Sequence, residues 1–248
     1  MDDKARLAVI TASAAGIGLV VAENLCRDGW KVILSDIDSQ KGEREAHRIG
    51  AEFRACDVGD PRQLERIFTG LNRIDLLINN AGIMGPSGPT WECPYDGWEE
   101  TLKINLTSHF IACSLVVPRM IQVGRGVIIN MSSMAGLFAW PTRVAYGVSK
   151  WGALGLTKTL AKEVAQYGIR VNAILPGAVR GDRIEQGIAA FAKANNVSLE
   201  EARSHYLSRQ ATGKLVEPQE IADTILFLAS DKAKSITGQF IQVSGGFE

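Results

Sequence analysis

The chain of 248 residues has little of what marks metal, nucleic-acid or membrane chemistry. It carries three histidines and four cysteines, and the cysteines stand apart at 26, 56, 93 and 113 with no C-x-x-C pair. Neither a zinc pattern nor a disulfide framework is present, and packed thiols are the plain reading. There is no excess of either charge. The 27 Lys and Arg face 27 Asp and Glu, so the positive field that phosphate backbones or anionic lipids require is missing. Internal repeats and low-complexity stretches are also absent, which excludes solenoid and disordered readings. The N-terminal MDDKARLAVITASAAGIG has acids where a signal peptide needs positive charge, and its apolar stretch is too short to span a bilayer. The expectation is a cytoplasmic protein with no nucleic-acid partner, no membrane partner and no metal. What is there is 46% hydrophobic and 22% charged, enough chain for one large domain with a small-molecule site.

Short apolar runs at 7–10, 31–34, 76–78, 126–130, 170–175 and 240–243 alternate with helical periodicity at about 16–28, 39–49, 61–70, 98–122, 146–167 and 217–229. That alternation predicts an α/β fold, a Rossmann-type doubly wound parallel sheet forming a single domain over 1–248. Asp60-Pro61 and Glu217-Pro218 read as helix starts. Residues 180–216 break the alternation with helical pattern and no strand, and they follow a strand's carboxyl end, where ligands bind in such sheets. This segment is read as a small helical lid. Within it Ser198-Leu199-Glu200-Glu201 fits a capping box, so two short helices are expected. An extra packed helical pair is the competing reading.

Chemistry enters after the first strand, where Thr11-Ala12-Ser13-Ala14-Ala15-Gly16-Ile17-Gly18 opens directly into a helix. Small residues let a backbone approach a pyrophosphate, and a helix N-terminus offers unpaired amides. Ser13, Ala14, Gly16, Ile17 and Gly18 are the candidate contacts. The second strand is read to end at Leu34-Ser35-Asp36, with Asp36 eighteen residues past Gly18. Its carboxylate suits the two ribose hydroxyls of an adenosine and repels a 2′-phosphate, and Ile37 adds no positive charge, so NAD is favoured over NADP. Asp57 and Val58, following a further strand, are candidates for the adenine edge. Ser133, Tyr146 and Lys150 are spaced by thirteen and four residues. Positions i and i+4 share one helix face, so the Lys150 ammonium favours the phenolate of Tyr146, whose ordinary pKa is about 10. Ser133 is then placed to hold the substrate oxygen. His109 and Cys113 lie one turn apart on a helix, but no further ligand is in sight and packing is the reading.

These pieces, taken with Asn79-Asn80-Ala81-Gly82, Asn105, Asn130-Met131-Ser132-Ser133, Pro176-Gly177 and Ser244-Gly245-Gly246, resemble the short-chain dehydrogenase/reductase family over nearly the whole chain. The resemblance implies a catalytic tetrad of Asn105, Ser133, Tyr146 and Lys150. It implies that Lys150 also holds the nicotinamide ribose and that Asn105 positions a proton-relaying water. Ser132 is left structural. Asn80 is implied to lie against the cofactor, and the backbone of Val179 to meet the nicotinamide carboxamide. Two residues depart from the family pattern. Ala12 replaces the usual glycine after Thr11, so this position is expected to avoid positive φ. Gly181 stands where many relatives carry a threonine that bonds the carboxamide.

The expected activity is NAD-dependent interconversion of a secondary alcohol and a ketone. Arg143 and Arg183 are candidate contacts to an anionic or polyhydroxylated, sugar-like substrate; pairing with nearby surface acids is the competing reading. Met84, Trp91, Met134, Phe138, Trp140, Asp182 and Phe191 are further pocket candidates, and the aromatic ones favour a hydrophobic substrate instead. An NADP(H)-dependent carbonyl reductase and a catalytically silent nucleotide sensor are the rival functions. The helices at 98–122 and 146–167 have more apolar faces than one sheet covers, and the resemblance implies a homotetramer.

Overall fold

The structure is a computed structural model that describes residues 5–247. Seven strands, β1 (Leu7–Thr11), β2 (Lys31–Asp36), β3 (Glu52–Ala55), β4 (Leu76–Asn79), β5 (Gly126–Met131), β6 (Ile169–Pro176) and β7 (Phe240–Val243), form one sheet. Their order is β3-β2-β1-β4-β5-β6-β7, with every pairing parallel. The predicted doubly wound α/β architecture is therefore present. β3 is the strand that no apolar run marks: Glu-Phe-Arg-Ala is short, half charged and at the sheet edge, where only partial burial is required.

Period-two alternation builds two cores from the same strands. Ala8, Ile10, Val32, Leu34, Leu76, Ile78, Val127 and Ile129 face α1 (Gly16–Arg27), α2 (Ser39–Ile49) and α9 (Pro218–Ala229). Val9, Ile33, Leu77 and Ile128 face the other way, against α3 (Pro61–Ile67), α5 (Ser108–Val123) and α6 (Val144–Val164). Each fully buried Leu or Ile in these layers contributes about 1.5–3 kcal/mol. The expected helix starts are realised. Asp60 accepts from Arg62 N at 2.9 Å ahead of Pro61, and Glu220 accepts from Glu217 N at 2.7 Å ahead of Pro218.

The predicted helix at 98–122 is interrupted. It runs as α4 (Tyr95–Leu102), a π-helical turn (Lys103–Thr107) and α5. A wide turn of this kind adds a residue to the helix and re-aims the side chains on it, and Asn105 sits at its centre.

Residues 180–216 contain two helices, α7 (Asp182–Asn195) and α8 (Leu199–Ser208). The Ser198 capping box is intact: Ser198 N donates to Glu201 Oε2 at 2.9 Å, and Glu201 N donates to Ser198 Oγ at 3.1 Å. The pair has its own small core of Ile188, Ala192 and Ala202. Its base is closed where Arg180 N donates to Val216 O and Val216 N to Ala178 O, both at 2.9 Å. Buried Gln210 also accepts from Ala178 N at 2.9 Å.

One expectation fails at the glycine loop. Ala12 does adopt a positive φ, 50°, rather than avoiding it. Surrounding bonds hold it there: Asn80 Nδ2 donates to Thr11 O at 3.1 Å and to Ala12 O at 2.7 Å. The turn geometry outweighs the roughly 1 kcal/mol that a Cβ costs in this region.

Candidate active site

The strand order reverses between β1 and β4, and in open sheets of this kind the loops leaving the strands' carboxyl ends at such a switch point frame the ligand crevice. The β1–α1 loop forms one wall. Its first half is turned inward: Ser13 N donates to Ser35 O at 3.1 Å, Ser13 Oγ to Ile10 O at 2.9 Å, and Ala14 N to Asp36 Oδ2 at 3.0 Å. Ser13 and Ala14 are buried, so these two expected contacts support the loop while Ala15, Gly16 and Ile17 are the part that reaches the surface. Gly18 is the close-approach position, since a Cβ there would sit 2.7 Å from both Ala12 O and Asn80 Nδ2.

Helix α1 begins at Gly16 with no side-chain cap from Ala15. Its leading amides are thus left for an anion, and the loop fits a dinucleotide pyrophosphate. Asp36 lies beside this loop, bonded to Ala14 N and to Asp38 N at 3.1 Å, with Ile37 exposed next to it. Asp57 accepts from Gly59 N at 2.8 Å while its own N–H goes to Gln63 Oε1 at 3.0 Å, so its loop is fixed, with Val58 half-buried beside it.

Across the crevice, α6 carries Tyr146 and Lys150 one turn apart, both buried. The Lys150 ammonium lies 5.7 Å from the Tyr146 ring centroid and donates to Met131 O, at the end of β5, at 2.9 Å. Burial, with the Arg183 cation adding to it, pulls its pKa down from 10.5 to about 7. Ser133 follows β5 and is half-buried, its Oγ accepting from Ala135 N at 3.2 Å. Its neighbour Ser132 is buried and donates to Lys150 O at 2.9 Å, which makes it a brace for α6.

The turn after β4 is held from all sides. Asn105 Nδ2 donates to Ile83 O at 2.8 Å and to Ser149 Oγ at 3.0 Å, while its Oδ1 accepts from Ile83 N at 2.7 Å. Ser149 Oγ passes the connection on to Tyr146 O at 2.7 Å. Arg183 donates to Gly82 O at 2.7 Å, and Arg143 to Gly85 O at 2.9 Å. Buried His109 places Nε2 3.3 Å from Ala81 O. Its Nδ1 has no partner among the described residues, and burial beside Lys150 pulls its pKa to about 3, so it is neutral. Cys113, one turn on from His109, is buried as well, and its Sγ accepts from Asn79 Nδ2 at 3.5 Å.

The structure thus joins Asn105, Tyr146, Lys150 and the end of β5 in one network, with Ser133 on the loop that follows. Neither Arg143 nor Arg183 pairs with an acid among the described residues. Val179, three residues past the end of β6, is held by a parallel bridge to Val216. Gly181 has φ +145°, a conformation that a threonine adopts only with strain, which accounts for the departure. Ser149 and Tyr206 escaped the sequence reading, and His109 entered it only as a packed residue. Only Ser149 carried a signal, as a small polar residue between Tyr146 and Lys150 on the same helix.

Residues 11–248 match the family model described as enoyl-(acyl carrier protein) reductase. The chain is 36% identical to the uncharacterized oxidoreductase YxjF of Bacillus subtilis (strain 168), over 98% of both chains. Among solved structures it is similar to NAD+-bound xylitol dehydrogenase, with TM-score 0.90 and 29% identity over 97% of this chain and 98% of that one. It is similar also to a variant of actinorhodin polyketide ketoreductase with NADPH, with TM-score 0.93 and 29% identity over 98% of this chain and 97% of that one.

Proposed function

The chain belongs to the short-chain dehydrogenase/reductase family of oxidoreductases, and from that premise we propose that it is an NAD-dependent enzyme interconverting a secondary alcohol and a ketone. The observation that carries the reading is the buried network running from Ile83 through Asn105 and Ser149 to Tyr146, with the Lys150 ammonium beside the Tyr146 ring. A bound nicotinamide cofactor supplies the hydride acceptor or donor.

In the oxidative direction, Ser133 Oγ binds the substrate hydroxyl and Tyr146 as phenolate takes its proton. Lys150 lowers the cost of that phenolate through its charge. Asn105 holds the Ile83 turn and, in this reading, a water that carries protons between Lys150 and solvent, outward when the alcohol is oxidised. Gly16, Ile17 and Gly18 receive the pyrophosphate, Asp36 the adenosine ribose, Asp57 and Val58 the adenine edge, and Asn80 and Val179 line the nicotinamide half. Ser13 and Ala14 support that loop from beneath.

The substrate is polar, anionic or polyhydroxylated, and meets Arg143 and Arg183. An NADP(H)-dependent carbonyl reductase acting on an aromatic or hydrophobic ketone is the second reading. It is favoured by the likeness to the NADPH-bound ketoreductase and by the exposed Trp91 and Phe138, and opposed by Asp36. Phe110, Val148 and Trp151 leave apolar surface on α5 and α6, which supports a homotetramer; a light-scattering mass equal to one chain would refute it. The cytoplasm is the proposed location.

The reading is tested with a panel of secondary alcohols, sugars and hydroxy acids supplied with NAD at alkaline pH, following absorbance of the reduced cofactor. Tyr146→Phe is expected to abolish turnover while sparing NADH binding. Turnover that survives this substitution contradicts the role of Tyr146, and a wild type that binds NADH but oxidises nothing is a sensor.

A further inference from the structure

We propose that the mouth of the crevice is a carboxylate-binding subsite formed by Arg143, Arg183 and Tyr206, so that the substrate is a hydroxy acid rather than a neutral polyol. This rests on the dehydrogenase reading and narrows its substrate class.

The two arginines come from different elements, α6's N-cap and the first turn of α7, yet both are anchored on one four-residue turn, at Gly85 O and Gly82 O. A backbone carbonyl orients a guanidinium without cancelling its charge and consumes one of its five N–H donors. The remaining fork stays free and already oriented. Other arginines near the lid behave differently, since Arg180 pairs with Glu217 and Arg203 with Glu185. Arg143 and Arg183 have no carboxylate within ion-pair distance among the described residues, and neighbouring Asp182 makes no such pair.

Tyr206 is half-buried on α8, and its hydroxyl has no hydrogen-bond partner among the described residues. It stands in the field of Arg143 and Arg209, yet burial still raises its pKa, so it remains a neutral donor. Arg209 lies over the Trp140 and Phe247 rings, 5.0 and 4.5 Å from their centroids, and adds positive field to the same wall.

A polyol can hydrogen-bond this wall but brings no charge to meet its two unpaired guanidinium groups. A carboxylate matches it in charge and in planar geometry. The oxidation stays balanced: the carbinol hydrogen leaves as hydride to the oxidised cofactor, the hydroxyl proton passes to Tyr146, and the carboxylate is unchanged.

Short 2-, 3- and 4-hydroxy acids are compared with their methyl esters and with xylitol as substrates with NAD. One acid is expected to exceed its ester in kcat/KM by about tenfold or more, and Arg143→Ala and Arg183→Ala are each expected to lower that acid-to-ester ratio by about 10- to 100-fold. Tyr206→Phe lowers it less. An ester or polyol preferred over every acid, or ratios unmoved by both arginine variants, overturns the proposal. Calorimetric binding of butanoate against butyramide gives a readout without turnover: butanoate alone is expected to bind, and Arg143→Ala to abolish binding. Oxidation of neutral alcohols without carboxylate binding removes the subsite and leaves the dehydrogenase. Carboxylate binding with no oxidation of any alcohol removes the dehydrogenase and leaves the subsite.

Discussion

Asn105 clamps Ile83 by both ends of its amide, accepting from Ile83 N at 2.7 Å and donating to Ile83 O at 2.8 Å. The same side chain reaches Ser149 and, through it, the backbone of Tyr146. The turn after β4 and the helix bearing the proposed acid/base are therefore held by one buried amide.

Asn105→Ala leaves two polar groups, Ile83 N and Ile83 O, without their partner, and Ser149 Oγ keeps only its bond to Tyr146 O. Each such group costs about 1–3 kcal/mol when buried and unsatisfied. The expected result is a Tm lower by roughly 5–10 °C and loss of turnover. Ser149→Ala breaks only the branch towards Tyr146 and should cost less in Tm. Calorimetric melting with initial-rate assays checks both, and equal melting temperatures for Asn105→Ala and wild type would contradict the clamp.

Ala12→Gly removes a Cβ from a backbone with φ 50°. The substitution is expected to stabilise by about 1 kcal/mol, raising Tm by about 2–4 °C. NADH binding should tighten or stay unchanged, because the bonds from Asn80 are kept. A fall in Tm would show that the positive φ costs nothing here.

Asp36→Ala or Asp36→Ser is expected to raise the NADP-to-NAD ratio of kcat/KM by about tenfold or more, since a carboxylate beside a 2′-phosphate costs several kcal/mol. Ser is the gentler change because it keeps an acceptor near Ala14 N. An unchanged ratio in both variants removes the basis for assigning NAD.

His109 controls a pH dependence of stability. Its pKa is about 3 when folded against an ordinary 6.5, so between those values the unfolded chain binds more protons. The stability it contributes is complete above pH 6.5 and is lost progressively as pH falls towards 3. At about pH 5 the loss is about 2 kcal/mol. His109→Gln keeps a donor for Ala81 O and cannot titrate, so its stability should vary less with pH across this window. Urea unfolding at several pH values measures the slope, and parallel curves for variant and wild type would exclude His109 as the source.

Much of the fold was legible because its strands are buried on both faces, and apolar runs such as Ala8-Val9-Ile10 must supply both cores. β3 carried no apolar run, because an edge strand needs none, and was expected only as the strand ahead of Asp57; the break at Asn105 escaped because a π turn leaves helical periodicity nearly intact. Tyr146 and Lys150 were readable as a pair since one helical turn separates them. Their supports were not: Ile83 lies 22 residues from Asn105, and Gly82 lies 101 from Arg183.

The sequence by itself determined the α/β alternation, the small-residue loop, the acid at 36 and the one-turn spacing of Tyr146 and Lys150, because each is set by contacts within a few residues. Only the tertiary structure decided that Ala12 takes a positive φ, that Ser13 faces inward, and that Arg143 and Arg183 are anchored on one turn without acidic partners. Those outcomes depend on which distant backbone carbonyls and carboxylates the folded chain brings within hydrogen-bond reach, and neither local propensity nor spacing encodes that.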